Sequence, residues 1–353
     1  MIQSTKTMSI ASHYGFFLLM VLCVIIASLA PKLGSSNGFI KSQFIIWYVA
    51  VPFTYFGAGI SCSFKSLYSV LKNRQLLLFV IIFMYGLMPV LAKLAAYLLT
   101  YMKINIWLLK GMEVLFCMPP QFCTGFVLSQ MTEADLPTSI VTFLVSYFVG
   151  LLLSPFLLYI LIGPMPPLIG TNIIETIYST IIPFIIGLLV QISISFDIMS
   201  LKLKTKWFSQ GLLLFTAYHW FCDAITIDAF PLEAVDILFC ILIALIGQIL
   251  ITYICWMLCS GWLPRNILLA ALFTSTHKSV GLSGWAIRGT YHGYAHGPII
   301  ILPLLILPVT QLLLGSLLAC FLAPIRSFSS SNVEKQNVSN NILTDLETVD
   351  CKS

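Results

Sequence analysis

Apolar runs long enough to cross a bilayer recur from one end of this chain to the other, and that recurrence leaves few folds open. A spanning helix needs about 20 predominantly apolar residues. Runs of that length cover residues 14–30, 39–60, 76–99, 110–130, 136–162, 173–194, 210–227, 237–260, 266–288 and 298–322. Only 9% of the residues are charged, against roughly 25% in soluble domains, so the chain cannot cover a large water-facing surface. The predicted fold class is an all-α integral membrane protein with ten transmembrane helices. Composition changes once, after Arg326, where a Ser/Asn-rich tail runs to Ser353. It is too poor in apolar residues to fold alone, which predicts a disordered tail over 326–353. Its Asn337-Val338-Ser339 matches a glycosylation sequon, usable only if the tail is lumenal.

The first span has two readings. Lys6, the apolar run Phe16 to Ala27 and the small residues Ser28-Leu29-Ala30 would also pass as a cleaved signal peptide. Counted as a helix, it puts both termini on one side. That side holds Lys65, Lys72, Arg74, Lys202, Lys204, Lys206 and Arg265 in its loops, besides Lys6, Arg326, Lys335 and Lys352 near the termini. The other side holds Lys32, Lys41, Lys103, Lys110 and Arg288, and is acidic around Asp228, Glu233 and Asp236. The positive-inside rule then makes both termini cytoplasmic. A net charge of +5, with no basic stretch interleaved with aromatics outside the spans, excludes a nucleic-acid partner. Most of the ten cysteines lie within apolar runs. Cys255 and Cys259 stand one helical turn apart without a nearby histidine, so packing thiols are expected and a zinc site is not.

Two of the spans are interrupted. Span 4 reads Leu115-Phe116-Cys117-Met118-Pro119-Pro120-Gln121-Phe122-Cys123-Thr124-Gly125. Tandem prolines remove two amide donors and clash with the preceding turn, so the helix must break. Span 9 reads Leu272-Phe273-Thr274-Ser275-Thr276-His277-Lys278-Ser279, six polar residues in a row at mid-membrane. Irregular or polar backbone at that depth survives only where it is buried in protein or lines a cavity. A Leu-Phe pair precedes each break, in the fourth helix of each half. Five helices per half is an odd number, so the second half enters from the opposite side. Residues 1–162 and 163–325 are thus expected to form two inverted repeats, with the broken helices building a midplane site. A proline kink and a polar packing patch is the plainer alternative.

At these residues the chain resembles the bile acid:sodium symporter superfamily, and within it the sodium/bile acid cotransporter 7-like branch. The stretches that carry the resemblance are Trp107-Leu108-Leu109-Lys110-Gly111, Cys117-Met118-Pro119-Pro120, Phe221-Cys222-Asp223, Ser275-Thr276-His277-Lys278-Ser279 and Gln311-Leu312-Leu313-Leu314-Gly315-Ser316. It covers all ten spans. It implies a panel domain of spans 1, 2, 6 and 7, and a core domain of spans 3–5 and 8–10 in which spans 4 and 9 unwind and cross. In sodium-coupled members oxygen ligands near that crossing hold two sodium ions, and span 9 carries a glutamate with a glutamine four residues later. Here Ser275 and Ser279 stand in that stretch, with Lys278 between them. A hard cation wants oxygen ligands, and an ammonium would repel it, which disfavours sodium. No other cofactor or metal is expected. The branch implies a role in cellular calcium balance through restraint of calcium entry, with the calcium-entry machinery as partner. It also implies residence in the plasma membrane or secretory pathway.

The candidate substrate or ion site is the crossing: Pro119, Pro120, Cys123, Thr124, Thr142, Ser146, Ser275, Thr276, His277, Lys278 and Ser279. Lys278 leads, because a charge at mid-bilayer is costly unless paired or hydrated. Its ammonium either faces an anionic substrate or holds span 4 carbonyls freed by Pro119 and Pro120. His277 is a proton relay or a packing histidine. His219 and Asp223, one turn apart on span 7, form a gate, a cation site or a structural pair. Lys110 and Glu113, three residues apart, are expected to pair at the interface, and Lys93 to snorkel. No HExxH, GxSxG, phosphate loop or EF-hand is present, so neither an enzyme nor a direct calcium sensor is expected. Two functions compete: a secondary transporter of an organic anion, sodium-coupled or not, and a membrane regulator of calcium entry.

Overall fold

The computed structural model describes residues 2–36, 38–102, 104–161, 163, 171–193, 198–226, 234–279, 296–297 and 299–322. The tail with its sequon, Asp228, Glu233, Lys103 and Arg288 lie outside the described residues, which contain helices and no strand. The long helices are α1 (Ile2–Leu29), α2 (Ser42–Ser61), α3 (Arg74–Thr100), α4 (Ile106–Cys117), α5 (Phe122–Met131), α6 (Leu136–Leu161), α7 (Thr171–Ser193), α8 (Ile198–Thr226), α9 (Ala234–Ser260), α10 (Arg265–Thr276) and α11 (Ile299–Leu322). Among them α2, α3, α6, α11 and most of α9 are long and apolar enough to cross a membrane, and Tyr14–Leu29, Phe122–Met131 and Tyr178–Ser193 are shorter apolar stretches. The chain is a multi-pass helical membrane protein.

The packing follows from small residues and apolar faces. α1 lies on α8, and α2 lies on both α7 and α8. Gly59 and Gly187 let α2 and α7 cross with backbones almost touching: a Cβ on Gly59 would fall 2.3 Å from the Phe184 carbonyl oxygen, and one on Gly187 2.3 Å from that of Phe56. Small residues at such crossings are how membrane helices gain close packing where lipid gives no hydrophobic drive. α3 packs on α4, and α10 packs on α5, α6 and α9. Tyr55 of α2 stacks on Phe122 of α5 at 4.0 Å, joining the two groups of helices. Of its most apolar window α11 has 78% buried and α9 only 22%, so α11 is enclosed and α9 faces lipid.

Prolines act differently at different places. Pro155 and Pro183 sit inside continuous helices. Pro52 and Pro89 each follow one wide turn with i→i+5 pairing, at Ile46–Ala50 and Phe83–Leu87. In the second of these, Met88 donates its amide to the Phe83 carbonyl. The Met84 carbonyl is thereby left opposite Pro89, which has no hydrogen to give.

The turn into α6 is tied down at both ends. Asp135 caps it, accepting the Thr138 amide at 3.0 Å and the Thr138 hydroxyl on the same oxygen, while its own amide donates to Asn266 at the start of α10. Asp135→Ala is expected to lower stability by about 1 kcal/mol, the usual worth of an N-cap. Asp135→Asn should keep most of that stability. Equal thermal unfolding midpoints for all three proteins in detergent would refute the assignment.

A candidate ion and substrate site at the helix crossing

α4 ends at Cys117 and α5 begins at Phe122, with Met118 and Gln121 extended between them. α10 ends at Thr276, and His277 is extended too. The two extended pieces run antiparallel and pair. Gln121 donates its amide to the His277 carbonyl at 3.0 Å, Ser279 donates its amide to the Pro119 carbonyl at 2.9 Å, and Pro120 faces Lys278. Backbone that leaves a helix in hydrocarbon needs such partners. Span 4 thus breaks where its prolines require, and α10 ends inside the polar run. The two extended pieces are joined by a miniature two-residue ladder. Residues 280–288 of span 9 lie outside the described residues.

The carbonyls at the end of α4 find donors on two other segments, α6 and the extended piece after α10. Ser154 of α6 donates its hydroxyl to the Cys117 carbonyl at 2.7 Å. The Lys278 ammonium donates to the Met118 carbonyl at 3.0 Å and to the Met84 carbonyl of α3 at 3.1 Å. Met118 is freed by the tandem prolines and Met84 by Pro89. One fully buried lysine thus serves two proline-damaged helices. The ammonium also sits 5.2 Å from the Tyr85 ring centroid, a cation–π distance. Tyr85 in turn donates its hydroxyl to the Ser146 carbonyl at 2.6 Å. Carbonyl oxygens of this kind suit a bare cation, but here an ammonium on the chain takes them.

His277 lies between α10 and α11. Its Nδ1 is 3.0 Å from the Phe273 carbonyl and its Nε2 is 3.2 Å from the Gln311 carbonyl. The Gln311 side chain accepts the Lys278 amide at 3.2 Å and donates to the Thr276 carbonyl at 3.4 Å, so it braces the break. Thr142, Ser275 and Thr276 donate their hydroxyls to carbonyls one turn back, at 2.6, 2.6 and 2.8 Å. Each oxygen has a further polar neighbour: Thr142 Oγ1 lies 3.4 Å from Thr274 Oγ1, Ser275 Oγ 3.4 Å from Cys255 Sγ and Thr276 Oγ1 3.2 Å from His277 Nδ1. Thr124 bonds to the Gln121 carbonyl at 3.3 Å within its own turn. Cys123 contacts the Thr54 hydroxyl of α2, away from the ladder. Gln121 has a buried Oε1 without a donor among the described residues. No group of three His, Cys, Asp or Glu side chains able to hold a metal occurs among them.

Gln311, Ser154 and Met84 are not among the candidate site residues named from the sequence, although Gln311 opens one of the stretches that carry the resemblance. Gln311 carries a visible signal, a lone amide inside an apolar run. Ser154 and Met84 carry none, because their roles come from what faces them.

The second candidate pair is fixed in place. His219 and Asp223 approach to 3.6 Å on α8. Both Asp223 oxygens accept from Ser36, its amide and its hydroxyl, at 2.6 Å, and His219 Nδ1 meets the Gly34 carbonyl at 2.8 Å. The pair fastens the α1–α2 connection to α8. The expected Lys110–Glu113 pair does not form. Lys110 lies over the Trp107 ring at 4.6 Å, and Glu113, buried against α3, pairs with Lys93 at 3.0 Å. Lys93 also donates to the Leu161 carbonyl at the end of α6. Spacing along one helix gives the wrong partner because the facing helix supplies a better one.

The chain has relatives among known proteins. The profile of the SBF-like CPA transporter family (DUF4137) matches residues 14–324. Sodium/bile acid cotransporter 7-B of Xenopus laevis is 31% identical over 308 residues, covering 86% of this chain and 90% of its own. Sodium/bile acid cotransporter 7 of Rattus norvegicus is 30% identical with the same coverage. Its counterpart in Danio rerio is 28% identical over 86% of this chain and 91% of its own. The matched span takes in both broken helices. These relatives are named as transporters, not as enzymes.

Proposed function

Because the chain belongs to the SBF-like CPA transporter family, we propose that it is a carrier for an organic anion, with the Lys278 ammonium standing where relatives would hold sodium. The observation that carries this reading is the seat of Lys278, buried at the crossing on two carbonyls of α3 and α4. A fixed cation there repels sodium and attracts an anion. Gln121, with its unpaired Oε1, would take a donor group of the same solute. His277 and the lone pairs of Thr142, Ser146, Ser275 and Thr276 complete the polar surface of the site.

The carrier is built as two inverted five-helix repeats, 1–162 and 163–325, with 326–353 as a tail on the cytoplasmic side. α1, α2, α7 and α8 form a panel, and the remaining helices form the core that holds the crossing. Solute reaches Lys278 only when core and panel separate, since the ammonium is sealed in this state. The resemblance to the cotransporter 7-like branch extends the proposal to restraint of calcium entry, at the plasma membrane or in the secretory pathway, through the calcium-entry machinery. The names of the relatives favour a second reading, a sodium-coupled symporter of bile acids with no calcium role.

One experiment separates the two. Cytosolic calcium after store depletion is followed in cells lacking the endogenous relative, with empty vector, this chain or Lys278→Ala at matched surface expression. Taurocholate uptake is measured alongside, with and without sodium. Damped calcium entry lost in the variant is the expected result. Sodium-dependent taurocholate uptake without any calcium effect would replace the first reading by the second.

A further inference from the structure

The lipid-facing side of α9 carries a feature that the crossing does not use. α9, α10 and α11 enclose a groove of about 390 Å³, open toward the lipid and walled by Gln248, Thr252, Trp256, Phe273, His277 and Leu318. Its walls are almost wholly apolar, and its volume falls in the range of small-molecule sites, about 300–1,000 Å³.

Gln248 is the exception. It is 2% exposed, and its Oε1 has no donor among the described residues. The orientation of the amide is fixed by its neighbour. Thr252 donates its hydroxyl to the Gln248 carbonyl at 2.7 Å, so that hydroxyl can only accept from the amide NH₂, 3.4 Å away. The unpaired atom is therefore the oxygen, and it needs a hydrogen-bond donor. An unpaired buried acceptor is costly, and the groove that Gln248 lines is the open space from which a bound molecule would supply the donor.

We propose that the groove binds an uncharged lipid alcohol whose hydroxyl donates to Gln248 Oε1. Depth selects the class. Gln248 lies near the middle of Ala234–Ser260, about 20 Å from either end at 1.5 Å per residue. Phosphate headgroups stay at the interface, and the acyl tails of a phospholipid carry no donor. Water is a poor occupant, because a buried water needs two to four polar partners. The groove walls are almost wholly apolar, so a water there finds few partners beside Gln248 Oε1. The inner wall is formed in part by Thr276 and His277, where α10 gives way to the crossing. The occupant thus presses on the ladder from the membrane side.

The test uses the full chain in phosphatidylcholine vesicles with a diazirine-bearing long-chain primary alcohol, and its hydroxyl-free alkane counterpart as control. Photolabelling mapped by mass spectrometry is expected on the Trp256 and Leu318 peptides with the alcohol, and competed by unlabelled hexadecanol but not by hexadecane. Gln248→Leu, which removes the acceptor and leaves an ordinary apolar helix, should reduce labelling about tenfold, the worth of one such hydrogen bond. Leu318→Trp, which fills the groove and leaves Gln248 in place, should reduce it likewise. Thermal unfolding of both variants in detergent confirms that they are folded. Equal labelling by alcohol and alkane, or labelling indifferent to Gln248→Leu, would overturn the proposal. So would cross-links from these residues to a second copy of the chain.

Discussion

Lys278→Met is expected to lower the stability of the protein by about 2–4 kcal/mol while leaving the volume of the site nearly unchanged. The substitution strips the donor from the Met84 and Met118 carbonyls, both buried. Hydrogen bonds to a charged group are worth about 1.5–3 kcal/mol each, and relief from burying the charge returns part of the total. Unfolding can be followed with a thiol-reactive fluorophore, because Cys117, Cys255 and Cys259 are free and buried. A second substitution tests the explanation rather than the loss. Pro89→Ala restores an amide opposite the Met84 carbonyl, so Lys278→Met should cost less by about 1–2 kcal/mol in that background. If the two substitutions add without coupling, the lysine does not compensate for Pro89, and the Met84 carbonyl is satisfied in some other way.

The second large effect belongs to the α2–α7 crossing. Gly187→Leu should prevent accumulation of monodisperse protein, and Gly187→Ala should already cost about 1–3 kcal/mol, the range for overpacking. The reason is that the obstacle is backbone. A Cβ on Gly187 would lie 2.3 Å from the Phe56 carbonyl oxygen and 3.1 Å from the Gly59 Cα. No rotamer change relieves that contact, so the helices must part. Gly211→Ala is the control, since nothing lies within 4 Å of a Cβ there. It should be neutral or stabilising, by up to about 1 kcal/mol from helix propensity. Gly187→Ala behaving like Gly211→Ala in size-exclusion profile and unfolding midpoint would show that the close approach is not needed.

The breaks at Met118–Gln121 and after Thr276 are legible in the sequence because each is over-determined. Two adjacent prolines cannot both be absorbed by one turn, and six polar residues cannot face lipid. A single proline forces nothing comparable. Pro155 and Pro183 lie inside unbroken helices, while Pro52 and Pro89 follow wide turns. What a lone proline does depends on whether a neighbouring segment supplies a donor for the carbonyl it strands, and a linear sequence does not say which segment is the neighbour. The same gap explains the candidate site. Lys278 is readable as a buried charge, and the Met118 carbonyl as one of its partners, but the Met84 carbonyl is not. Glu113 reads as the partner of the cation three residues away, whereas the facing helix offers Lys93. Spacing rules describe one helix at a time, and these contacts are made between helices.

The Lys278 ammonium has one further consequence, which is thermodynamic. A diffusible ion drives a cycle because it is taken up on one side and released on the other, leaving the free energy of its gradient behind. A charge bonded to the polymer returns with it, so over a complete turnover its net work is zero. Membrane voltage can still bias which conformation it prefers, by up to about 2.3 kcal/mol per 100 mV for a unit charge carried across the whole field. Uphill accumulation of any solute would need a different source of free energy.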